Sequence, residues 1–257
     1  MYIKHFFKTA QISWQTQTNG GLLYSFPDYL MKVIYLLPLL FIWRTLIASG
    51  VPTDMDLDQL TSYTYVNALL TDFLVVSTFL TSWNYDSQST NLFTVPIPIF
   101  AHIIARSLGK WLPNLLLFSL PMMLTAPFWG VKIIPITPWF WLSLLLCTSL
   151  GFAIEIAFFC LNTYLRNVSW LVYVIRGAIV SFFSGTIIPF NMLPSELQQW
   201  ISFQPFGSLG GAPLSLFVGS ASPNNIIPVQ VFWNIVIWLL VTVWFNKVRE
   251  RIVSFGG

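Results

Sequence analysis

Among the ionisable side chains that fall within the long apolar stretches of this sequence, four are the first candidates for chemistry. They are Arg44, Asp72, Glu155 and Arg176. A charge within an apolar helix is costly in lipid, so such a group usually faces a partner or a cavity. Three roles fit these residue types: ion pairs that fix helix packing, groups that line a substrate path, or members of a proton relay.

The spacing of these residues along their helices predicts which of them meet. Glu155 and Arg176 lie at similar distances from the turn at Arg166 and Asn167, which joins two consecutive apolar helices, so we expect them to form a pair. Arg44 and Asp72 are expected within about two helical turns of each other in depth. A long arginine side chain could close that gap by extending along its helix.

The helix that carries Arg176 also carries three aromatic side chains. Tyr173, Phe182 and Phe183 either pack against neighbouring helices, or line an apolar substrate route or a seam between two chains.

Motifs for catalysis and nucleotide binding are missing from the sequence. It contains only two histidines and no His-Glu-x-x-His pattern. Gly109-Lys110 is followed by Trp111 and lacks the earlier glycine of a phosphate-binding loop. The alternating aspartates of residues 54–58 lack the glycine and closing glutamate of an EF-hand, which indicates a solvated loop. We therefore predict no catalytic residue, no bound cofactor and no metal ligand in this chain.

The composition predicts an integral membrane protein. Of the 257 residues, 56% are hydrophobic and 8% are charged, whereas a soluble domain is about 25% charged. The net charge of +3 is small, and its distribution suits membrane orientation, so no nucleic-acid partner is expected. Cys147 and Cys160 fall on one helix about 20 Å apart and cannot bridge each other.

These patterns predict one all-α transmembrane domain over residues 1–257, with about six spans. The spans run roughly over residues 29–49, 62–81, 99–129, 139–161, 170–183 and 227–245. The third is overlong, and a break is expected near Pro113 or Pro121. Residues 1–24 are predicted to be an interfacial helix region, because apolar residues recur at helical spacing in residues 1–16 while the basic residues face elsewhere. An ordinary cytosolic flank is the alternative. Proline and glycine divide residues 185–226 into short re-entrant or interfacial helices.

The distribution of lysine and arginine predicts the orientation. One side of the membrane collects Lys4, Lys8, Arg106, Lys110, Arg166, Lys247, Arg249 and Arg251. The other side receives Lys132, Asp54, Asp56, Asp58 and Glu196. The positive-inside rule then places both termini and the 84–98 loop in the cytoplasm, and residues 185–226 outside.

The motifs of the last third resemble, in order and spacing, the C-terminal half of the permease subunits of bacterial type-2 ABC exporters. They are Ser184-Gly185, Pro189, Leu193-Pro194, Pro205-Phe206, Pro213 and Gly219. With the number of spans, the resemblance covers most of the chain. It implies a multi-pass subunit of the bacterial plasma membrane, surrounded by lipid. Its implied partners are a second permease chain, identical or homologous, and cytoplasmic ATPase subunits that bind ATP and Mg.

The resemblance also implies roles for individual regions. In that family a short coupling helix between the second and third spans docks on the ATPase, which corresponds here to residues 84–98. The implied contact residues are Asp86, Gln88, Asn91, Phe93 and Pro96. The family's first, second and fifth spans lie close to the dimer interface, which favours Tyr173 and Phe183 as substrate-facing side chains.

Two other functions compete with an ATP-driven permease. An ion- or proton-coupled secondary transporter would use Asp72 and Glu155, and inverted repeats would support it, but the first three spans have no counterpart to the 184–219 stretch. An intramembrane enzyme acting on lipid would need clustered histidine or carboxylate residues, which the sequence lacks. The substrate is not identified by any motif.

Overall fold

The computed structural model describes residues 2–19, 22–50, 53–78, 96–165 and 168–254, and within these ranges all regular structure is helical. The α-helices are α1 (Tyr2–Thr18), α2 (Leu22–Ala48), α3 (Leu57–Leu74), α4 (Ile99–Asn114), α5 (Leu120–Thr125), α6 (Trp139–Asn162), α7 (Ser169–Phe183), α8 (Ser195–Phe203), α9 (Gly211–Phe217) and α10 (Pro223–Ser254). The all-α class predicted from the sequence is confirmed for this part of the chain.

Several helical stretches are long and apolar enough to cross a membrane. Among the described residues, four stretches meet both criteria: Tyr29–Ala48, Ile99–Trp129, Trp139–Asn162 and Pro223–Arg251. A shorter apolar helix covers Trp170–Phe183. These stretches agree with a multi-pass membrane protein. Helix α3 is not among the four, because polar residues dilute its apolar ones.

The apolar stretch Ile99–Trp129, which corresponds to the third predicted span, changes its helical geometry in the middle. After α4 the chain forms a π-helix at Leu115–Ser119, then α5, then a 3₁₀ turn at Ala126–Trp129. The π-helix lies between Pro113 and Pro121, the two residues near which a break was predicted. Because proline lacks an N–H group and its ring crowds the preceding turn, the regular ladder is interrupted there.

Helix α3 ends earlier than its predicted span. It starts at Leu57, where the Asp56 N–H donates to Gln59 Oε1 at 3.0 Å, and stops at Leu74. Residues 75–78 are not helical, so the prediction of a helix through residue 81 is wrong over this segment. Three of these four residues are Val or Thr, whose β-branched side chains lower helix propensity.

Helix α1 packs along α4 through small residues. A Cβ atom on Gly109 would overlap the Ala10 carbonyl oxygen and lie 2.7 Å from Ser13 Cβ. Ser13 is buried, whereas Ile3 and Phe7 are 74% and 67% exposed. The predicted amphipathic helix is therefore present, with a small-residue face on α4 and apolar side chains on its outer surface.

We expect Gly109→Ala to release α1, because the added methyl group has no room against the Ala10 carbonyl. Trypsin should then cleave after the exposed Lys4 and Lys8 about tenfold faster in detergent, since an opening that becomes easier by about 1.4 kcal/mol is ten times more populated. Mass spectrometry of the fragments measures this rate. Gly177→Ala is the control, since a Cβ there meets nothing within 4 Å. Equal rates in both variants would contradict the α1–α4 contact.

Two short helices, α8 and α9, lie within the predicted 185–226 region. Every residue of α9 is buried, and the Gly211 N–H donates to the Ser184 carbonyl at 2.5 Å. Gly185 has a φ of 74°, a left-handed conformation that glycine adopts without a steric penalty. The Tyr63 hydroxyl donates to the Gly185 carbonyl at 2.6 Å, so this turn is fixed against α3.

Helix α6 joins the two main buried clusters of the bundle. Its first half packs with α3 and α9 around Leu150 and Leu214, and its second half packs with α4 and α10 around Phe159 and Phe245. At the second end the Arg251 guanidinium lies 4.8 Å from the Tyr164 ring centroid. The two ends of the bundle are thereby defined by the two halves of α6.

Candidate functional site

The break after α3 is enclosed by α6 and α7, and it contains the predicted ionisable pair. Where a helix stops inside an apolar bundle, its last carbonyl groups need partners from elsewhere, since lipid supplies none. Here the Val75 N–H closes the last turn on the Thr71 carbonyl at 2.8 Å. The following carbonyl groups are taken by side chains.

Helix α6 supplies two of these side-chain donors. The Thr148 hydroxyl is shared between the Phe73 carbonyl at 3.0 Å and the Leu144 carbonyl of its own helix at 2.8 Å. The Cys147 thiol donates to the Leu74 carbonyl at 3.5 Å. Cys147 is therefore a hydrogen-bond donor as well as the small packing residue that the sequence predicts. Both cysteines are free and buried.

Glu155 and Arg176 form a buried ion pair at the break, which confirms the predicted pairing. Arg176 Nε lies 2.5 Å from Glu155 Oε2, and the residues are 5% and 1% exposed, respectively. Glu155 Oε1 accepts hydrogen bonds from the Thr78 N–H and hydroxyl, both at 3.1 Å. A terminal nitrogen of Arg176 donates to the Val76 carbonyl. Each charged side chain thus also caps the backbone of the break.

Gly151 lets the broken segment lie directly against α6. A Cβ atom at this position would lie 2.7 Å from Val76 Cγ2 and 2.9 Å from Val76 Cβ, closer than real carbon atoms approach. Gly151 is one helical turn before Glu155, on the same face of α6. The glycine therefore provides the space, and the glutamate the hydrogen-bond acceptor, for one stretch of backbone.

The arrangement is electrically neutral and its charged groups are engaged, which favours the packing role among the three predicted ones. A buried pair is costly to break one partner at a time, because the remaining charge is left uncompensated. Such a pair specifies which helices meet and at which register. Neither Glu155 nor Arg176 is positioned as a solvent-accessible acid or base.

Asp72 lies in a second polar cluster, at the junction of α2, α3 and α4. The Lys32 ammonium is 3.8 Å from its carboxylate and 5.3 Å from the centroid of the Phe118 ring. The Asn114 side-chain amide donates to the same carboxylate. Asn114 immediately precedes the π-helix, so this cluster lies at the point where the apolar stretch Ile99–Trp129 changes its helical geometry.

The expected approach of Arg44 to Asp72 is wrong. Helices α2 and α3 run antiparallel, and Lys32 lies about 24 Å before the end of α2 while Asp72 lies about 22 Å after the start of α3. Lys32 is therefore level with Asp72. Arg44 is close to the 49–56 connection and is exposed. Counting both helices from their shared connection would have identified Lys32 from the sequence.

We expect Asp72→Asn to lower the free energy of unfolding by about 1 kcal/mol, because the pair is partly exposed and is therefore weak. Arg44→Met should change it by less than about 0.5 kcal/mol, as for an ordinary surface substitution. Thermal unfolding of both variants in the same detergent measures the difference. A larger loss in Arg44→Met than in Asp72→Asn would contradict the assignment of Lys32 as the partner.

The remaining predicted site residues fall into two groups. Asp86, Gln88, Asn91 and Phe93 lie outside the described residues, and Pro96 is exposed just before α4. On α7, Tyr173 and Phe182 are 45% and 73% exposed, whereas Phe183 contacts the Trp200 ring at a centroid distance of 5.9 Å. Tyr173 and Phe182 are therefore available on the outer surface of this single chain.

Sequence reasoning missed the backbone break and the side chains that support it, Thr78, Cys147, Thr148 and Gly151. The β-branched residues Val75, Val76 and Thr78 lower helix propensity slightly, but this signal is too weak to predict where α3 ends.

Comparisons with known proteins identify no relative: no protein-family model matches the chain, and no curated protein does.

Proposed function

We propose that this chain is the permease subunit of a bacterial ATP-driven exporter of the type-2 ABC class, located in the plasma membrane. It would form the substrate path with a second permease chain and be driven by cytoplasmic ATPase subunits. In this proposal α3 and α7 are the second and fifth of six spans, and α8 and α9 are the re-entrant helices. Hydrolysis of ATP belongs to the partner.

One observation supports the proposal: the residues of the resemblance lie before, between and after α8 and α9, except Pro213, which lies within α9. Ser184-Gly185 starts the region directly after α7, and Gly219 ends it before α10 with a φ of 72°. Pro194 directly precedes α8. Two short helices thus come between the apolar helices α7 and α10 along the chain, and this order supports the proposed re-entrant region.

The charges of the two ends of the bundle support the proposed orientation. Helix α1, with Lys4 and Lys8, packs on the α4 segment around Gly109, next to Arg106 and Lys110. Arg251 lies at the end of α10 that contacts Tyr164. The opposite end carries Asp56 and Asp58 in one cavity with Lys132. Under the positive-inside rule, the end of the bundle that carries Lys4, Lys8 and Arg251 is cytoplasmic, together with the termini and the 84–98 loop.

A carrier that uses Asp72 and Glu155 remains the second candidate, because broken helices beside carboxylates form ion sites in many secondary transporters. The engagement of Glu155 by Arg176 and Thr78 favours the exporter, since an ion-binding carboxylate needs free oxygen atoms. Transport measured with a hydrolysis-deficient ATPase separates the two, because a carrier would continue to work.

Affinity purification of the tagged chain from its native membrane tests the proposal. We expect an ATPase to copurify and its hydrolysis rate to change when the permease is present. Phe93→Ala should abolish that change while the permease stays folded, whereas Ile134→Ala, at an 82% exposed position at the opposite end, should not. An ATPase rate that is independent of the permease would contradict the proposal.

A further inference from the structure

A cavity of about 310 Å³ lies between α8, α9 and the start of α10. Its polar lining consists of uncharged amide and hydroxyl side chains, among them Asn191, Gln198, Ser202, Ser208 and Asn225. The rings of Phe190 and Phe203 supply apolar walls. No charged side chain is among the described residues that line it.

One side chain of this cavity is buried without a partner inside the protein. Ser208 is 1% exposed, and its Oγ atom has no hydrogen-bond partner in the described structure. Its backbone is held in place, because Gln230 Nε2 donates to the Ser208 carbonyl at 2.9 Å. A buried hydroxyl without a partner is unfavourable. A ligand group that reaches Ser208 would remove that cost.

We propose that this cavity binds a single uncharged sugar ring. Amide and hydroxyl side chains both donate and accept hydrogen bonds, as sugar hydroxyl groups do. The absence of lysine, arginine and carboxylate from the described lining disfavours phosphate, carboxylate or ammonium groups, which require a charged partner when buried. The ring of Phe203 offers an apolar surface for the C–H face of a sugar.

The size of the cavity limits the ligand to a small unit. Ligand pockets span about 300–1,000 Å³, and this one is at the lower end. The sugar could be free in solution or be the headgroup of a glycolipid, since both present the same hydroxyl chemistry. The site does not depend on the proposed ATPase partner, because none of its lining residues belongs to the 84–98 loop.

Direct binding to the full chain in lipid nanodiscs tests the proposal. One arm uses tritiated D-glucose, D-galactose and N-acetyl-D-glucosamine as free probes, and the other uses nanodiscs that contain tritiated monoglucosyl diacylglycerol. Saturable binding in either arm is the expected result and identifies the source of the sugar. D-glucuronate, the charged control, should bind at least tenfold more weakly than the neutral probe.

Two variants decide whether the binding occurs at this cavity. Ser208→Ala removes an oxygen atom that has no partner in the described protein, so we expect at least a tenfold loss of sugar affinity with an unchanged or higher melting temperature. Gln198→Leu keeps the side-chain size and should show a similar loss, and it serves alone if Ser208→Ala fails to fold. Ser222→Ala, at an exposed position outside the cavity, should bind like the unmodified chain.

Two results would overturn the proposal. One is the lack of saturable binding of every neutral probe in both arms, which would leave the cavity hydrated only. The other is an affinity within threefold of the unmodified chain in the folded Ser208→Ala variant, or in Gln198→Leu where that variant does not fold.

Discussion

Replacing Arg176 with methionine should lower the free energy of unfolding by about 3 kcal/mol or more, the cost of leaving one partner of a buried ion pair uncompensated. The guanidinium lies 2.5 Å from Glu155 Oε2 and also donates to the Val76 carbonyl, so the substitution removes the counter-charge of Glu155 and leaves the Val76 carbonyl without this donor. Thermal unfolding in detergent, with the folded fraction measured by size-exclusion chromatography, tests this expectation.

The double variant Glu155→Gln/Arg176→Met separates the ion pair from general damage. It buries no charge, and the amide oxygen that replaces Glu155 Oε1 can still accept from the Thr78 N–H. We therefore expect it to be at least about 1 kcal/mol more stable than the sum of the two single changes predicts. Glu196→Gln, at an exposed position on α8, is the control and should have almost no effect. Strictly additive losses would show that the two side chains are not coupled.

Gly151→Ala should destabilise the chain by about 2 kcal/mol, within the range for overpacking a filled core. The new methyl group would lie 2.7 Å from Val76 Cγ2, and the facing segment is fixed by hydrogen bonds on both sides, so it cannot move away cheaply. Unfolding temperature in the same detergent measures the loss.

Gly177→Ala is the matched control for Gly151→Ala, because it makes the same change inside another apolar helix. A Cβ atom at Gly177 meets nothing within 4 Å, so only the helix propensity changes. Alanine is favoured over glycine there by about 1 kcal/mol. The two substitutions are thus expected to shift stability in opposite directions, and a shift of the same sign in both would refute the proposed close contact.

The ionisable residues show how far the sequence determines the site. The Glu155–Arg176 pair follows from the sequence because two helices joined by a short turn must place residues at equal distances from that turn side by side. The same reasoning applied from the 49–56 connection gives Lys32 as the partner of Asp72. The sequence therefore contained enough information to predict Lys32 as the partner of Asp72. The error came from misjudging how far Arg44 lies from the 49–56 connection.

The break at residues 75–78 could not be derived in the same way. A helix through residue 81 satisfies the apolar pattern of this stretch equally well. What ends α3 at Leu74 is tertiary: donors on Cys147, Thr148 and Arg176 offer the backbone an alternative to its own ladder. Such competition depends on how α6 and α7 are packed, which local propensity does not contain.

The end of the hydrogen-bond ladder at Leu74 has a mechanical consequence. A continuous helix transmits force along its axis. A segment without helical hydrogen bonds instead transmits force to the side chains that are hydrogen-bonded to it. Thr78 is hydrogen-bonded to Glu155 of α6, and Val76 to Arg176 of α7. A displacement that begins beyond residue 78 would therefore tilt α6 and α7 together before it moved α3 lengthwise.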